Sequence, residues 1–130
     1  MRFLTVQQIT RLHDEGIALF GGDPGILDYG KLQSAVVAPQ YYRLYAGADI
    51  VGCAASYAYN VMQAHAFADG NKRVGHYSVR TFVEVNGHRL NASRDQLFGL
   101  YMAIASGIWS RDAVESQFRQ WIAPTNVSMA

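Results

Sequence analysis

Three adjoining stretches decide how this chain is read: ADIVGCAASYAYNVMQAH (48–65), AFADG (66–70) and NKRVGHYSVRTFVEVN (71–86). The first is apolar and rich in alanine and other small residues, the composition of a helix packed closely at the centre of a helical domain. The second breaks that pattern with charged and polar residues. The third is helical again and stops at Gly87, the residue type expected at a left-handed C-cap.

Working outward, Thr5 and Gln8 have capping-box spacing, and Val6, Ile9, Leu12, Leu19 and Phe20 roughly follow a 3.6-residue period, so 5–20 reads as a helix. Gly21-Gly22-Asp23-Pro24-Gly25 cannot continue it, and with Ile26-Leu27-Asp28-Tyr29-Gly30 it predicts a long loop or small hairpin. Lys31 to Ala38 reads as a short helix stopped by Pro39. Beyond Gly87, His88 to Asn91 is an extended link. Ser93 with Gln96 opens a fifth helix. A sixth starts at Ser110 with Val114, Phe118, Trp121 and Ile122 on one side, and the tail after Pro124 is expected to fray. The fold class is all-α, about six helices in one domain over 1–124 with a tail at 125–130. Strand signals are confined to the 21–30 region and the 88–91 link.

Composition bounds the function. The chain has 130 residues, 50% hydrophobic and 16% charged, with 11 Lys+Arg against 10 Asp+Glu. A net charge of +1 supplies no field for DNA or an anionic membrane, so neither is an expected partner. Cys53 is the single cysteine, which excludes an internal disulfide and a multi-cysteine zinc site. The start MRFLTVQQ lacks the apolar run of a signal peptide, and 50–62 falls short of the ~20 apolar residues of a membrane span, so a cytoplasmic protein is expected.

The chemistry concentrates in His65-Ala66-Phe67-Ala68-Asp69-Gly70-Asn71-Lys72-Arg73. Unpaired amides at the start of the second helix, with its positive dipole end, form an anion site. Gly70 allows close backbone approach to a phosphate, and Lys72 and Arg73 add cations. Cations at a helix N-terminus cost about 0.3–1 kcal/mol when exposed, so two in succession point to a bound anion. Asp69 beside a phosphate suits Mg²⁺, and His65 across the turn suits proton removal from an attacking hydroxyl.

This string resembles the signature H-x-F-x-[DN]-[AG]-N-K-R of the Doc branch of the Fic/Doc family, with every specified position matched. Gly21 to Ala35 and Phe82 to Gly87 are also similar to segments of death-on-curing toxins from toxin–antitoxin modules. The resemblance implies a compact Fic/Doc helical bundle. It makes His65 the general base, Phe67 a buried anchor of the motif and Asp69 the Mg²⁺ ligand. It gives Gly70, Asn71, Lys72 and Arg73 to the nucleotide phosphates. Gly25, Ile26, Leu27 and Asp28 would belong to a flap that docks the target.

Typical Fic enzymes carry H-P-F-x-x-G-N-G-R and transfer AMP; here Lys72 replaces the second glycine, the Doc form, which implies a nucleotide pose presenting the γ-phosphate. The implied activity is phosphorylation, from ATP with Mg²⁺, of a threonine of elongation factor Tu, arresting translation. AMP transfer is the alternative, and a catalytically inactive binding protein the third reading. His76 stands where many Fic motifs carry a further arginine, and contact with nucleotide would make His76→Ala weaken ATP binding. Each of Glu15, Glu84 and Glu115 follows an arginine four residues earlier, so none fits the self-inhibitory [ST]-x-x-x-E-[GN] pattern. Inhibition is therefore expected from a Phd-like antitoxin that folds on binding.

Of the remaining residues, His13, Asp14 and His88 fit no metal-ligand spacing and are assigned to the surface or to caps. Cys53 reads as a buried apolar residue rather than a nucleophile. Tyr41, Tyr42 and Tyr45 with Arg43 read as core and rim of a 39–47 turn, in preference to stacking on adenine or binding a partner. Asn91-Ala92-Ser93 has the glycosylation spacing, without meaning in the absence of a secretory signal.

Overall fold

A computed structural model describes residues 1–125. Six helices, α1 (Val6–Phe20), α2 (Tyr29–Ala46), α3 (Ile50–Ala64), α4 (Asn71–Val85), α5 (Arg94–Ala105) and α6 (Arg111–Trp121), are joined by two short strands, β1 (His88–Leu90) and β2 (Ile122–Pro124). The capping boxes at Thr5/Gln8 and Ser93/Gln96 are both formed, Ser110 caps α6, and Gly87 takes a left-handed φ of 77°. Among the described residues, no helix is long and apolar enough to cross a membrane.

The alanine-rich α3 lies at the centre, packed by α2, α4, α5 and α6. Its residues Cys53, Ala54, Ala55, Tyr57 and Ala58 are fully buried. Small side chains let neighbouring helix backbones come close. A Cβ at Gly75 of α4 would stand 2.6 Å from Met62 Cγ, so glycine sets how closely α3 and α4 approach. Tyr57 also makes a polar contact within the core, its hydroxyl accepting the Leu4 amide at 2.8 Å and tying the N-terminal segment down.

Four local expectations are corrected. α2 does not stop before Pro39 but continues to Ala46, where Gly47 caps it in left-handed geometry. Proline forfeits its own N–H bond and crowds the carbonyl four residues back, but its ring is buried and its carbonyl accepts the Cys53 thiol (3.6 Å), so tertiary burial outweighs the local penalty. The tyrosines therefore lie on a helix. Tyr41 and Tyr45 are exposed and stacked, whereas Tyr42 donates its hydroxyl to Glu115 (2.7 Å). Ile122 belongs not to α6 but to β2, which pairs antiparallel with β1 in the register His88↔Pro124, Arg89↔Ala123 and Leu90↔Ile122. Leu19 and Phe20, read as part of the apolar period of α1, are exposed.

The 21–28 segment takes the loop form. Its one strand-like contact is an isolated antiparallel bridge from Ile26 to Phe67 in the motif turn. Cys53 is buried, with its thiol pushed up to about 11 by desolvation, and is inert as a nucleophile. In the C-terminal stretch, the Thr125 amide donates to the Gly87 carbonyl (2.9 Å); the rest of the expected tail, 126–130, lies outside the described residues.

Removing the Tyr57 hydroxyl orphans a buried amide. Tyr57→Phe is expected to lower the unfolding free energy by about 1–3 kcal/mol. Urea melts should show a lower midpoint at unchanged slope.

Candidate active site

The motif is the link between α3 and α4. His65 ends α3 in a left-handed conformation (φ 47°), the one non-glycine residue with positive φ among those described. Few side chains adopt that region, histidine more readily than most. The reversal stops the helix and leaves the imidazole exposed. The next residues turn inward: Ala66 and Phe67 are buried, while Asp69 and Lys72 are exposed.

The Asn71 side chain organises the turn. Its Oδ1 accepts the Phe67 amide (3.1 Å), and its Nδ2 donates to the Phe67 carbonyl (2.9 Å). A buried residue in irregular backbone needs both groups paired, and a carboxamide has one acceptor and one donor to supply them. The Asn71 side chain is thus committed to the chain, and what it can offer an anion is its main-chain N–H. No side chain caps α4, whose N-cap is Gly70 at φ 79°. The first amides of the helix are left for an external acceptor.

The flap segment runs along the other side of the turn. The Leu27 and Asp28 amides both donate to the Ala66 carbonyl (2.7 and 3.2 Å), and the Ala68 amide donates to the Gly25 carbonyl (2.9 Å). Asp69 Oδ2 accepts the Asp23 amide at 2.7 Å. Asp28 caps α2 through the Lys31 amide (3.0 Å), which engages its carboxylate. Leu27 is 70% exposed, an apolar side chain presented to solvent from the segment that pairs with the turn.

Among the described residues no group of three His, Cys, Asp or Glu could hold a metal, so Asp69 would be a solitary carboxylate ligand. That donor set fits Mg²⁺, which keeps several waters and takes the rest of its shell from phosphate oxygens. It does not fit a structural metal.

Arg73 folds back along α4. Its Nη1 lies 3.7 Å from where a Cβ on Gly70 would stand, which brings the guanidinium to the helix N-terminus. The Phe20 ring lies 4.6 Å beneath it, and a Cβ at Gly16 would come within 2.9 Å of its Cδ. The exposed Phe20 therefore carries the cation instead of joining the core. A cavity of about 740 Å³ opens beside Lys72 and Arg73. Arg80 and Arg94 add further cations, Phe98 and Met102 apolar surface, and no carboxylate lines it. Its size and mixed lining suit a nucleotide-sized anion.

His76 lies on this cavity wall, where its Nδ1 shares a 2.7 Å hydrogen bond with the Tyr101 hydroxyl. Desolvation, with the Arg80 charge a smaller cause, pulls its imidazole down to about 4, so it is uncharged at neutral pH. Burial pushes the Tyr101 phenol upward, which keeps its proton in place to donate. With Nδ1 accepting, the imidazole proton sits on Nε2 as a neutral donor.

His13 is the residue the sequence reading misplaced. It is neither on the surface nor a cap but buried beneath the turn at 2% exposure. Its ring stacks on Phe67, with centroids 3.8 Å apart and an interplanar angle of 13°, and Nε2–H donates to the Asp69 carbonyl at 2.7 Å. The signal was present, since His13 lies four residues beyond the buried Ile9, but spacing alone does not reveal a partner 56 residues away. His88 binds the Asn86 carbonyl through Nδ1 (2.8 Å), and Asp14 is exposed.

Two outcomes follow from this geometry. Asn71→Ala orphans both main-chain groups of a buried residue, so stability should fall by about 1–3 kcal/mol or more in urea unfolding. Asn71→Asp keeps the acceptor but sets an oxygen against the Phe67 carbonyl, and should recover only part of the loss. For His76, the unfolded chain takes up a proton near pH 6.5 that the folded chain refuses until about 4. Its contribution is complete above pH 6.5 and is lost as the pH falls toward 4. Denaturation measured across that window should show a shallower pH dependence in His76→Gln than in the parent.

The profile described as the Fic/DOC family matches residues 3–83. The protein kinase doc of Escherichia phage P1 is 29% identical over 121 residues, covering 92% of this chain and 95% of that protein. The toxin Doc of Mycolicibacterium smegmatis is 37% identical over 82 residues, covering 62% of this chain and 63% of that relative. The matched profile spans α1 to α4 and with them the whole motif turn, and the chain belongs to the Fic/Doc family.

Proposed function

We propose that this protein is a Doc-type toxin that transfers the γ-phosphoryl group of ATP, with Mg²⁺, to a threonine hydroxyl of a translation protein, elongation factor Tu. The observation that carries the reading is Lys72 beside Arg73 in the first turn of an uncapped helix, both of them lining a cavity rich in cations. A full-length relative named a protein kinase supports it.

In this reading the hydroxyl oxygen attacks the γ-phosphorus, the bond to the bridging oxygen of the β-phosphate breaks, ADP leaves, and the hydroxyl proton passes to His65. The exposure of His65 at the end of α3 suits it to meet a protein substrate. The main-chain amides of Gly70 and Asn71, with the charges of Lys72 and Arg73, hold the phosphates in line and stabilise the charge that spreads over their oxygens. Asp69 holds Mg²⁺, which neutralises phosphate charge when bound. Its flap-side oxygen is already oriented by the Asp23 amide, so target docking along Gly25 to Asp28 and metal binding share one structural unit. His76 contributes one neutral N–H on the cavity wall, and Phe67 anchors the turn from below.

Inhibition comes from a Phd-like antitoxin that folds onto the toxin, because no glutamate of this chain fits the self-inhibitory pattern. A small upstream gene encoding an acidic or amphipathic C-terminal helix is the expected genomic sign.

The test incubates the purified protein with Mg²⁺, elongation factor Tu and ATP labelled at the α- or the γ-phosphate. Transfer of γ-label and its loss by at least 10²-fold in His65→Ala are expected for a general base. Transfer of α-label instead would make the protein an adenylyl transferase. Nucleotide binding without transfer of either label would make it a binding protein.

A further inference from the structure

We propose that His13 is a positioning residue of the phosphate site, one that sets the direction in which the Gly70 amide points. The inference rests on the reading above, in which the N-terminus of α4 receives nucleotide phosphates.

His13 comes from α1 and touches the motif turn from its buried side. Its Nε2–H donates to the Asp69 carbonyl at 2.7 Å. A peptide unit is planar and trans, so the Asp69 C=O and the Gly70 N–H point in opposite directions. A carbonyl drawn down toward the buried imidazole therefore turns the Gly70 N–H away from it, toward the exposed side where Asp69 and Lys72 stand.

Among the described residues, the Asp69 carbonyl accepts no other hydrogen bond and the Gly70 amide donates none. Gly70 has φ 79° and ψ 20°, close to the second central residue of a type II turn. Rotating the preceding peptide by about 180° gives the type I arrangement, with that residue at negative φ, which glycine adopts equally well. The chain path would barely change, but a carbonyl oxygen would replace the N–H facing the phosphate. One hydrogen bond from outside the turn selects between a site that attracts an anion and one that repels it.

The remainder of the ring fits this single duty. Its face stacks on Phe67, which fixes where Nε2 lies. Nδ1 is buried with no hydrogen-bond partner, and Asp14 Oδ1 at 3.8 Å is beyond bonding distance. A Cβ built on Gly70 would lie 3.4 Å from Nε2, at van der Waals distance, so the ring stands on the side of the glycine where a side chain would be.

Substitutions separate donation from packing. His13→Phe retains the stack on Phe67 but cannot donate, and His13→Gln retains a donor of similar reach but loses the stack. His13→Met, matched to glutamine in length and without a donor, repeats the comparison should the phenylalanine variant not fold. Each is titrated by calorimetry with ATP and, separately, with inorganic tripolyphosphate. The Asp69 carbonyl-carbon and Gly70 amide NMR signals are recorded without ligand, and KM for ATP is compared with kcat. The donor-less variants should bind both probes at least tenfold more weakly, with the loss in KM. His13→Gln should bind within about threefold of the parent, whatever its melting temperature. The Asp69 and Gly70 signals should shift in the donor-less variants and return toward the parent positions in His13→Gln.

A folded His13→Phe that binds both probes like the parent would overturn the proposal. So would affinities that follow melting temperature instead of the donor. If the parent binds neither probe, the phosphate-site reading falls, and the ligand-free NMR signals alone decide whether His13 sets the peptide plane.

Discussion

Two hydrogen bonds between the Asn71 side chain and the Phe67 backbone hold the turn from which the candidate site is built. Phe67 has to be buried for the turn to pack, and burying it outside regular structure strands an N–H and a C=O that asparagine alone satisfies together. The helix that follows begins without a cap, because its N-cap is Gly70, which has no side chain to offer, and its leading amides stay open. The turn thus joins a committed Asn71 side chain to main-chain amides left unpaired.

Three elements converge on this turn. From α1, His13, Gly16 and Phe20 lie on one face at helical spacing: the first holds Phe67 and Asp69, the second makes room for Arg73, and the third supports its guanidinium. The flap segment supplies main-chain bonds to Ala66, Ala68 and the Asp69 carboxylate. The buried α3 fixes where His65 emerges. A site held from three sides loses little on reorganisation when charge develops, as the proposed transfer requires.

Where local signals agreed with burial, the sequence could be read directly. Thr5/Gln8, Ser93/Gln96, Ser110 and Gly87 mark helix ends because caps are short-range chemistry, complete within four residues. Pro39 misled because its penalty is local, whereas the packing that carries α2 through it comes from α3. β2 was invisible in sequence, since three residues at the end of a helix become a strand only when His88–Leu90 is there to pair with them. Phe20 followed the apolar period yet faces Arg73, and His13 looked like a surface residue yet lies under the active turn.

The sequence by itself determined the all-α class, the helix boundaries that carry their own caps, and the nine-residue string whose histidine, carboxylate, glycine and cations stand at fixed spacing. These are properties of neighbours along the chain. Only the tertiary structure decided which of those groups remain free. It committed the Asn71 side chain to Phe67, gave one Asp69 oxygen to the flap, made His76 neutral against Tyr101, and brought His13 from α1 to the Asp69 carbonyl. The reason is physical. Burial and hydrogen-bond pairing depend on what lies across the core, and that is set by packing between segments tens of residues apart.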